Sequence, residues 1–356
     1  RIITVLVLNH TSDQHRWFQE ARSNPDSPYR DYYVWSDTKD KYQDARIIFL
    51  DSEDSNWAWD EEAGQYYWHR FFSHQPDLNY DNPAVQEEML GVIKFWLDLG
   101  IDGFRVDAIP YLFERDGTSG ENLEETIAFL HEARQYLQGL YPEAILLAEA
   151  NQWPDDIIPY FGDGDILHMA FHFPLMPRIF KSLGLEDREA IVQILDRTSE
   201  IPPEAQWCLF LRNHDELTLE MVTEDEREFL WDHFAPEPIM RLNLGIRRRL
   251  APLLGNDHQR ILMAHSLILT MPGSPVIYYG DEIGMGGDPS RNDRDGVRTP
   301  MQWQSDPSAG FSDLPPDKLY AAPISGKPYS PEFINVAQQT GDSNSLLEKM
   351  RFLLGK

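Results

Sequence analysis

An α/β fold of the (β/α)-barrel type is predicted for this chain by two features. Six short apolar runs that read as buried strands alternate with stretches whose apolar residues recur every three or four positions, and such alternation builds a parallel sheet with helices outside it. Three of the runs also end in an acid: Asp107 in GFRVD, Glu149 in LLAEA and Asp215 in LRNHDE. Three carboxylates are thereby expected at the same ends of three strands, where such a barrel keeps its chemistry.

In chain order, strands are expected at 2–8, 101–106, 145–148, 166–169, 207–211 and 275–279, and helices at 84–99, 123–140, 188–197, 260–269 and 345–354. The stretch 11–75 breaks the alternation. It holds Trp17, Trp35, Trp57, Trp59 and Trp68 with Tyr29, Tyr32, Tyr33, Tyr66 and Tyr67, and reads as an aromatic-rich insertion domain, leaving 1–10 and 76–356 to the barrel. Most of these rings are expected to fill a small core, with one or two left to touch a ligand. The stretch 306–339, rich in Pro, Ser and Gly, reads as a long loop. Arg247, Arg248 and Arg249 read as a solvated helix face.

The chain has 356 residues, 42% of them hydrophobic, enough for one large domain with an insertion or for two domains. Acids outnumber bases 59 to 31, which excludes a nucleic-acid partner and suits a neutral substrate. No apolar run is long enough to span a bilayer, so no membrane partner is expected. The one cysteine, Cys208, lies in the apolar run WCLFL and reads as a buried inert thiol, fitting a reducing cytoplasm. No phosphate loop, zinc spacing or dinucleotide fingerprint occurs, so no organic cofactor is expected. The DRDG string is not an EF-hand loop, because Gln302 stands where the bidentate glutamate belongs and Arg291 at the first ligand position.

Breaking an acetal needs an acid to protonate the leaving oxygen and an anion to meet the charge developing at the anomeric carbon. Retaining enzymes place two carboxyl groups roughly 5–5.5 Å apart for these roles. Asp107 and Glu149 are the candidate pair. Residues two apart on a strand share a face, so the Arg105 guanidinium favours the ionised Asp107 that a nucleophile requires. Glu149 ends the apolar run AILLA, where partial burial and the neighbouring anion would keep a proton available, suiting an acid that later acts as base. Taken alone, an Arg-x-Asp is usually a structural salt bridge. Its place in the full set of motifs is what points to chemistry.

The motif order, with VLVLNH ending at His10 and PGSPVIYYGDEIGM beyond Met271, resembles the α-amylase superfamily of glycoside hydrolases and transglucosylases. The longer strings TSDQHRWFQEAR, HDELTLEMV, MRLNLGIRRRLAPLLGNDHQRI and DRDGVRTPMQW resemble the branch that interconverts maltose and trehalose. The resemblance implies an eight-stranded (β/α)8 TIM barrel of which the first two strands are absent from this chain, with a small insertion domain after the third strand. It also implies a disaccharide substrate, with Asp107 as nucleophile, Glu149 as acid and base, and Asp215 as third acid. His10, Arg105, His214 and Arg298 become candidate substrate contacts.

The resemblance further implies a structural calcium ion, with Asn9, Asp77 and Glu114 as side-chain ligands and Tyr111 and Leu112 as carbonyl ligands, a hard oxygen set of the kind calcium prefers. One departure is Val5, which stands where the family usually has an acid. Three alternatives stay open: an α-glucosidase or sucrose-type isomerase with the same catalytic acids, a fragment without activity, and a non-catalytic relative on the same barrel. The last class loses acids of the triad, and this chain retains all three.

Overall fold

The computed structural model describes residues 1–355, in two compact units: Arg1–Phe171 with Ser199–Gln206, and His172–Thr198 with the chain from Trp207 onward.

The first unit runs in chain order through β1 (Thr4–Val7), α1 (Arg16–Ser23), β2 (Trp35–Ser36), β3 (Trp57–Asp60), β4 (Gln65–Trp68), α2 (Pro83–Asp98), β5 (Gly103–Asp107), α3 (Glu124–Leu140), β6 (Ile145–Ala148), the single turn α4 (Pro154–Ile157) and β7 (Met169–Phe171). β1, β5, β6 and β7 lie side by side in that order, every pairing parallel. The register sets Val7 opposite Asp107 and Val106 opposite Ala148, so Asp107 and Glu149 leave neighbouring strands at the same level. Gly103 is required where β5 meets β6. A Cβ there would sit 2.2 Å from the Ile145 carbonyl oxygen, at a φ of +148°.

Helix α2 begins where Asn82 caps the Ala84 N–H at 3.0 Å and Pro83 takes the first turn, and it buries Val85, Met89, Ile93 and Leu97 along one stripe. Each such side chain contributes roughly 2 kcal/mol of burial. The residues from 11 to 75 carry their own three-stranded antiparallel sheet, β2 and β3 flanking β4. Trp57 and Trp68 pack with Ala45, Val34, Tyr42 and Tyr66 into a separate core, while Trp59 stays exposed.

The second unit contains α5 (Leu175–Leu185), α6 (Glu189–Arg197), most of β8 (Gln206–Phe210), α7 (Glu224–Phe234), the short hairpin β9 (Arg241–Leu242) and β10 (Gly245–Ile246), α8 (Leu250–Leu253), α9 (His258–Thr270), β11 (Ser274–Val276), α10 (Val336–Gln339) and α11 (Leu346–Leu353). β8 and β11 pair in parallel, Leu209 opposite Pro275. Cys208 is a buried free thiol, pushed up to about 12 by burial, as an inert core cysteine should be.

The structure corrects three expectations. The strand expected at 166–169 forms at Met169–Phe171, because the Ile166 carbonyl is taken by Arg134 Nη1 at 3.1 Å and Leu167 N–H by the Tyr160 carbonyl, leaving the ladder to begin later. The strand expected to reach residue 279 ends at Val276; Tyr278 and Tyr279 turn away, their rings 4.6 and 4.7 Å from the Arg249 guanidinium. Arg249 is therefore not solvated. It is fully buried, donating Nη1 to the Tyr279 carbonyl at 2.7 Å and facing Asp281 at 3.6 Å. Helices α5 and α7 were not expected, since their apolar residues are interrupted by charges; α7 owes its start to a capping box of Thr223 and Glu226.

Candidate active site

Asp107 is the last residue of β5 and Glu149 follows β6, its N–H bonded to the Val106 carbonyl at 3.0 Å. Neighbouring strands are about 4.8 Å apart, so side chains leaving at one level emerge side by side. Arg105 joins the two acids. Its Nη1 lies 3.1 Å from Asp107 Oδ1 and its Nη2 pairs with Glu149 Oε1, and all three side chains are largely withdrawn from solvent. Immediately after Asp107 the backbone of Ala108 is left-handed, φ +53°, which costs a non-glycine residue about 1 kcal/mol and turns the chain sharply away from the strand.

His10 is placed in the same unit. Burial pushes its imidazole down to about 4 and keeps it neutral, although the nearby Asp107 carboxylate pulls the other way. Its Nδ1 pairs with Asn9 Oδ1 at 3.0 Å, and its ring faces Phe71.

Two of the expected calcium ligands lie against Asn9. Its Nδ2 lies 2.7 Å from the Tyr111 carbonyl and 3.3 Å from Asp77 Oδ2. Asp77 and Glu114 are buried, and burial above all raises both carboxyls, helped at Asp77 by the nearby Glu114 and at Glu114, which is pushed up to about 8, by Glu121. Fully buried Arg70 answers them only in part, its N–H bonding Asp77 Oδ1 at 3.2 Å and its Nε standing 3.6 Å from Glu114 Oε1. Glu114 Oε2 is buried without a hydrogen-bond partner. Two buried acids short of positive charge, an orphaned carboxylate oxygen and an amide whose two ends exchange by a simple flip are the features an oxygen-liganded cation would satisfy, so the residues fit the group. Among the described residues no three His, Cys, Asp or Glu side chains form a metal-binding group; this set holds only two acids.

In the second unit Asp215 sits five residues past β8 in a turn closed by its own N–H and Asn213 Oδ1 at 3.1 Å. Arg298 donates Nη2 to Asp215 Oδ1 at 2.6 Å and Nε to the His214 carbonyl at 2.7 Å. Arg294 Nε lies 3.1 Å from the same Oδ1, and His214 Nε2 lies 3.5 Å from Oδ2. Burial pushes the Asp215 carboxyl up, but His214 and the two guanidiniums outweigh it and hold it below the ordinary carboxylate value.

Sequence reasoning missed Arg294 and Glu216. Arg294 grips Glu216 with Nε at 2.7 Å and Nη2 at 3.1 Å, and both are buried. The only signal was adjacency: Glu216 follows Asp215, and Arg294 lies in the DRDG string that had been weighed as a metal loop.

Parallel strands flanked by helices, with acids leaving the carboxyl ends of those strands, define an α/β protein of the kind that keeps its chemistry on that face. Over residues 1–234 and 247–355 the sequence matches the model of the alpha amylase catalytic domain, and the chain belongs to the alpha-amylase family. It is 61% identical, over 99% of its length, to the trehalose synthase/amylase TreS of Mycolicibacterium smegmatis and 57% identical, over 99% of its length, to the trehalose synthase of Thermus thermophilus. It spans 60% of the former and 37% of the latter. Among solved structures, the alpha-amylase of H. orenii aligns with a TM-score of 0.73 at 27% identity, covering 99% of this chain and 62% of that one. The isomaltulose synthase of Erwinia rhapontici NX5 aligns with a TM-score of 0.72 at 26% identity, covering 100% and 67%. No helix among the described residues is long and apolar enough to cross a membrane.

Proposed function

We propose that this chain is the catalytic part of an enzyme that interconverts maltose and trehalose by intramolecular glucosyl transfer. The observation that carries the reading is that Asp107 and Glu149 leave the ends of neighbouring parallel strands at the same level, the Glu149 N–H bonded to the Val106 carbonyl at 3.0 Å. The 61% identity to a protein named as a trehalose synthase supports the choice of substrate.

Asp107 attacks the anomeric carbon of the non-reducing glucosyl unit while Glu149 gives its proton to the departing glycosidic oxygen. A glucosyl ester on Asp107 and a free glucose result. The glucose turns, Glu149 takes the proton of its anomeric hydroxyl, and that oxygen displaces Asp107 to form trehalose. Holding the acceptor in place gives it a large effective concentration over water, so hydrolysis is the minor course. Asp215, His10, His214 and Arg298 are assigned to the hydroxyls of the transferred ring, where contacts that tighten as the ring flattens favour the transition state.

Asn9, Asp77 and Glu114 with the Tyr111 and Leu112 carbonyls are assigned to a calcium ion, which supplies the positive charge the two buried acids lack. Residues 11–75 are assigned to the insertion domain, residues 1–10 and 76–356 to the (β/α) barrel, and the reducing cytoplasm to the protein as its compartment.

The test is product analysis with the full-length protein on maltose. Trehalose should dominate over free glucose, and Asp107→Ala should abolish both. Predominant glucose release would move the assignment to an α-glucosidase, and unchanged trehalose formation by Asp107→Ala would overturn the nucleophile.

A further inference from the structure

Residues 235–246 fall between the two stretches that match the alpha-amylase domain. They contain the β9–β10 hairpin, which is fastened to Leu217: Leu217 N–H bonds the Ile246 carbonyl at 2.8 Å and Ile246 N–H bonds the Leu217 carbonyl at 3.0 Å. At the turn of the hairpin Asn243, with φ +49°, donates Nδ2 to Glu216 Oε1 at 3.0 Å. Gly245 backs directly onto the same side chain, where a Cβ would come within 2.6 Å of Glu216 Cγ. Glu216 in turn takes two bonds from Arg294, whose Nε also reaches Asp215 Oδ1 at 3.1 Å.

We propose that the hairpin, Glu216 and Arg294 form a positioning device for the Asp215 carboxylate, so that a segment outside the common family pattern sets how the third acid meets the substrate. The proposal rests on the reading that Asp215 binds the transferred sugar. A lone arginine beside a carboxylate can swing on its flexible stem, but the two-point grip on Glu216 fixes the plane of the guanidinium. Glu216 is itself held by Asn243, and Arg298 holds Asp215 Oδ1 at 2.6 Å. With Oδ1 pinned by two guanidiniums, the orientation of Oδ2 beside His214 is determined. His214, Arg294 and Arg298 are the charged groups facing Asp215, with Glu216 behind Arg294.

The experiment uses the full-length protein with maltose, measuring kcat and KM against pH together with melting temperature. Arg294→Gln should lower kcat/KM about 10- to 100-fold, the scale of one lost charge-assisted hydrogen bond, and move the acid limb of the profile to higher pH. Arg294→Lys, which keeps the charge but not the two-point grip, should return the limb toward its native position while kcat/KM stays low. Asn243→Gly relieves a left-handed residue and removes only the amide; it should keep the melting temperature and still lower kcat/KM by about threefold or more. Native kcat/KM in Asn243→Gly, or equal losses in Arg294→Gln and Arg294→Lys with an unmoved acid limb, would overturn the device. A native protein that forms glucose instead of trehalose sinks the proposed reaction alone, because the same variants can be scored on maltose hydrolysis. Full activity in Asp215→Asn sinks the substrate role on which the device rests.

Discussion

Replacing His172 by glutamine should remove much of the acid sensitivity of the second unit. His172 is 2% exposed, between Trp207 and the start of α5, with its Nδ1 accepting the Leu175 N–H at 3.2 Å and its Nε2 paired with Thr198 Oγ1 at 2.9 Å. Burial, aided by the positive Arg178 of α5, lowers its pKa from 6.5 to about 4. The folded value is below the unfolded one, so the unfolded chain binds the proton first. Stability is therefore intact above about pH 6.5, falls as the pH drops towards about 4, and levels off below that. The full shift corresponds to roughly 3 kcal/mol, and about 2 kcal/mol is already lost between about pH 7 and about pH 5. Urea unfolding at those two pH values, for the native protein and for His172→Gln, isolates the contribution, because glutamine carries no titrating group and still has a donor and an acceptor. The drop in unfolding free energy should be about 2 kcal/mol smaller in the variant. Equal drops would show that His172 does not have to shed a proton to fold, refuting the reasoning from burial.

Arg105→Lys should lower kcat/KM on maltose about 10- to 100-fold, because one ammonium cannot serve Asp107 and Glu149 from separate nitrogens; an unimpaired enzyme would remove the bridge from the mechanism. Calcium chelation should lower the melting temperature of the full-length protein, and Asp77→Asn should blunt that response; indifference of the native protein to both chelator and added calcium counts against the ion. Thr223→Ala removes the hydroxyl that caps the Glu226 N–H at 3.3 Å and should cost about 1 kcal/mol, read as a lower urea midpoint. Cys208 should react with a thiol reagent only on the unfolding timescale, and rapid labelling of the native protein would contradict its burial.

The periodic elements were legible because their signals are local. The apolar run ILLA is a strand at the positions expected of it, and the four-residue spacing of Val85, Met89, Ile93 and Leu97 marks the buried stripe of α2 without reference to the rest of the chain. Arg105 and Asp107 were likewise readable as a same-face pair, since the side-chain period of a strand is two. α5 and α7 went unread because Pro177, Arg178 and Lys181 interrupt the apolar pattern of one and acids dominate the first turn of the other; tertiary packing and a cap stabilise both.

By itself, then, the sequence determined the alternation of strand and helix, the acids at the ends of the strands, and the family those motifs belong to. Only the tertiary structure decided which cation serves which anion. Arg105 turned out to serve Glu149 as well as Asp107, Arg294 closed onto Glu216 across 78 positions, and Arg249 was taken out of water to lie against Tyr278 and Tyr279. The physical reason is range. Strand and helix periods repeat within a few residues and leave their mark in any short window, whereas a salt bridge depends on where a distant loop returns, and a run of arginines reads alike whether the fold leaves it in solvent or buries it.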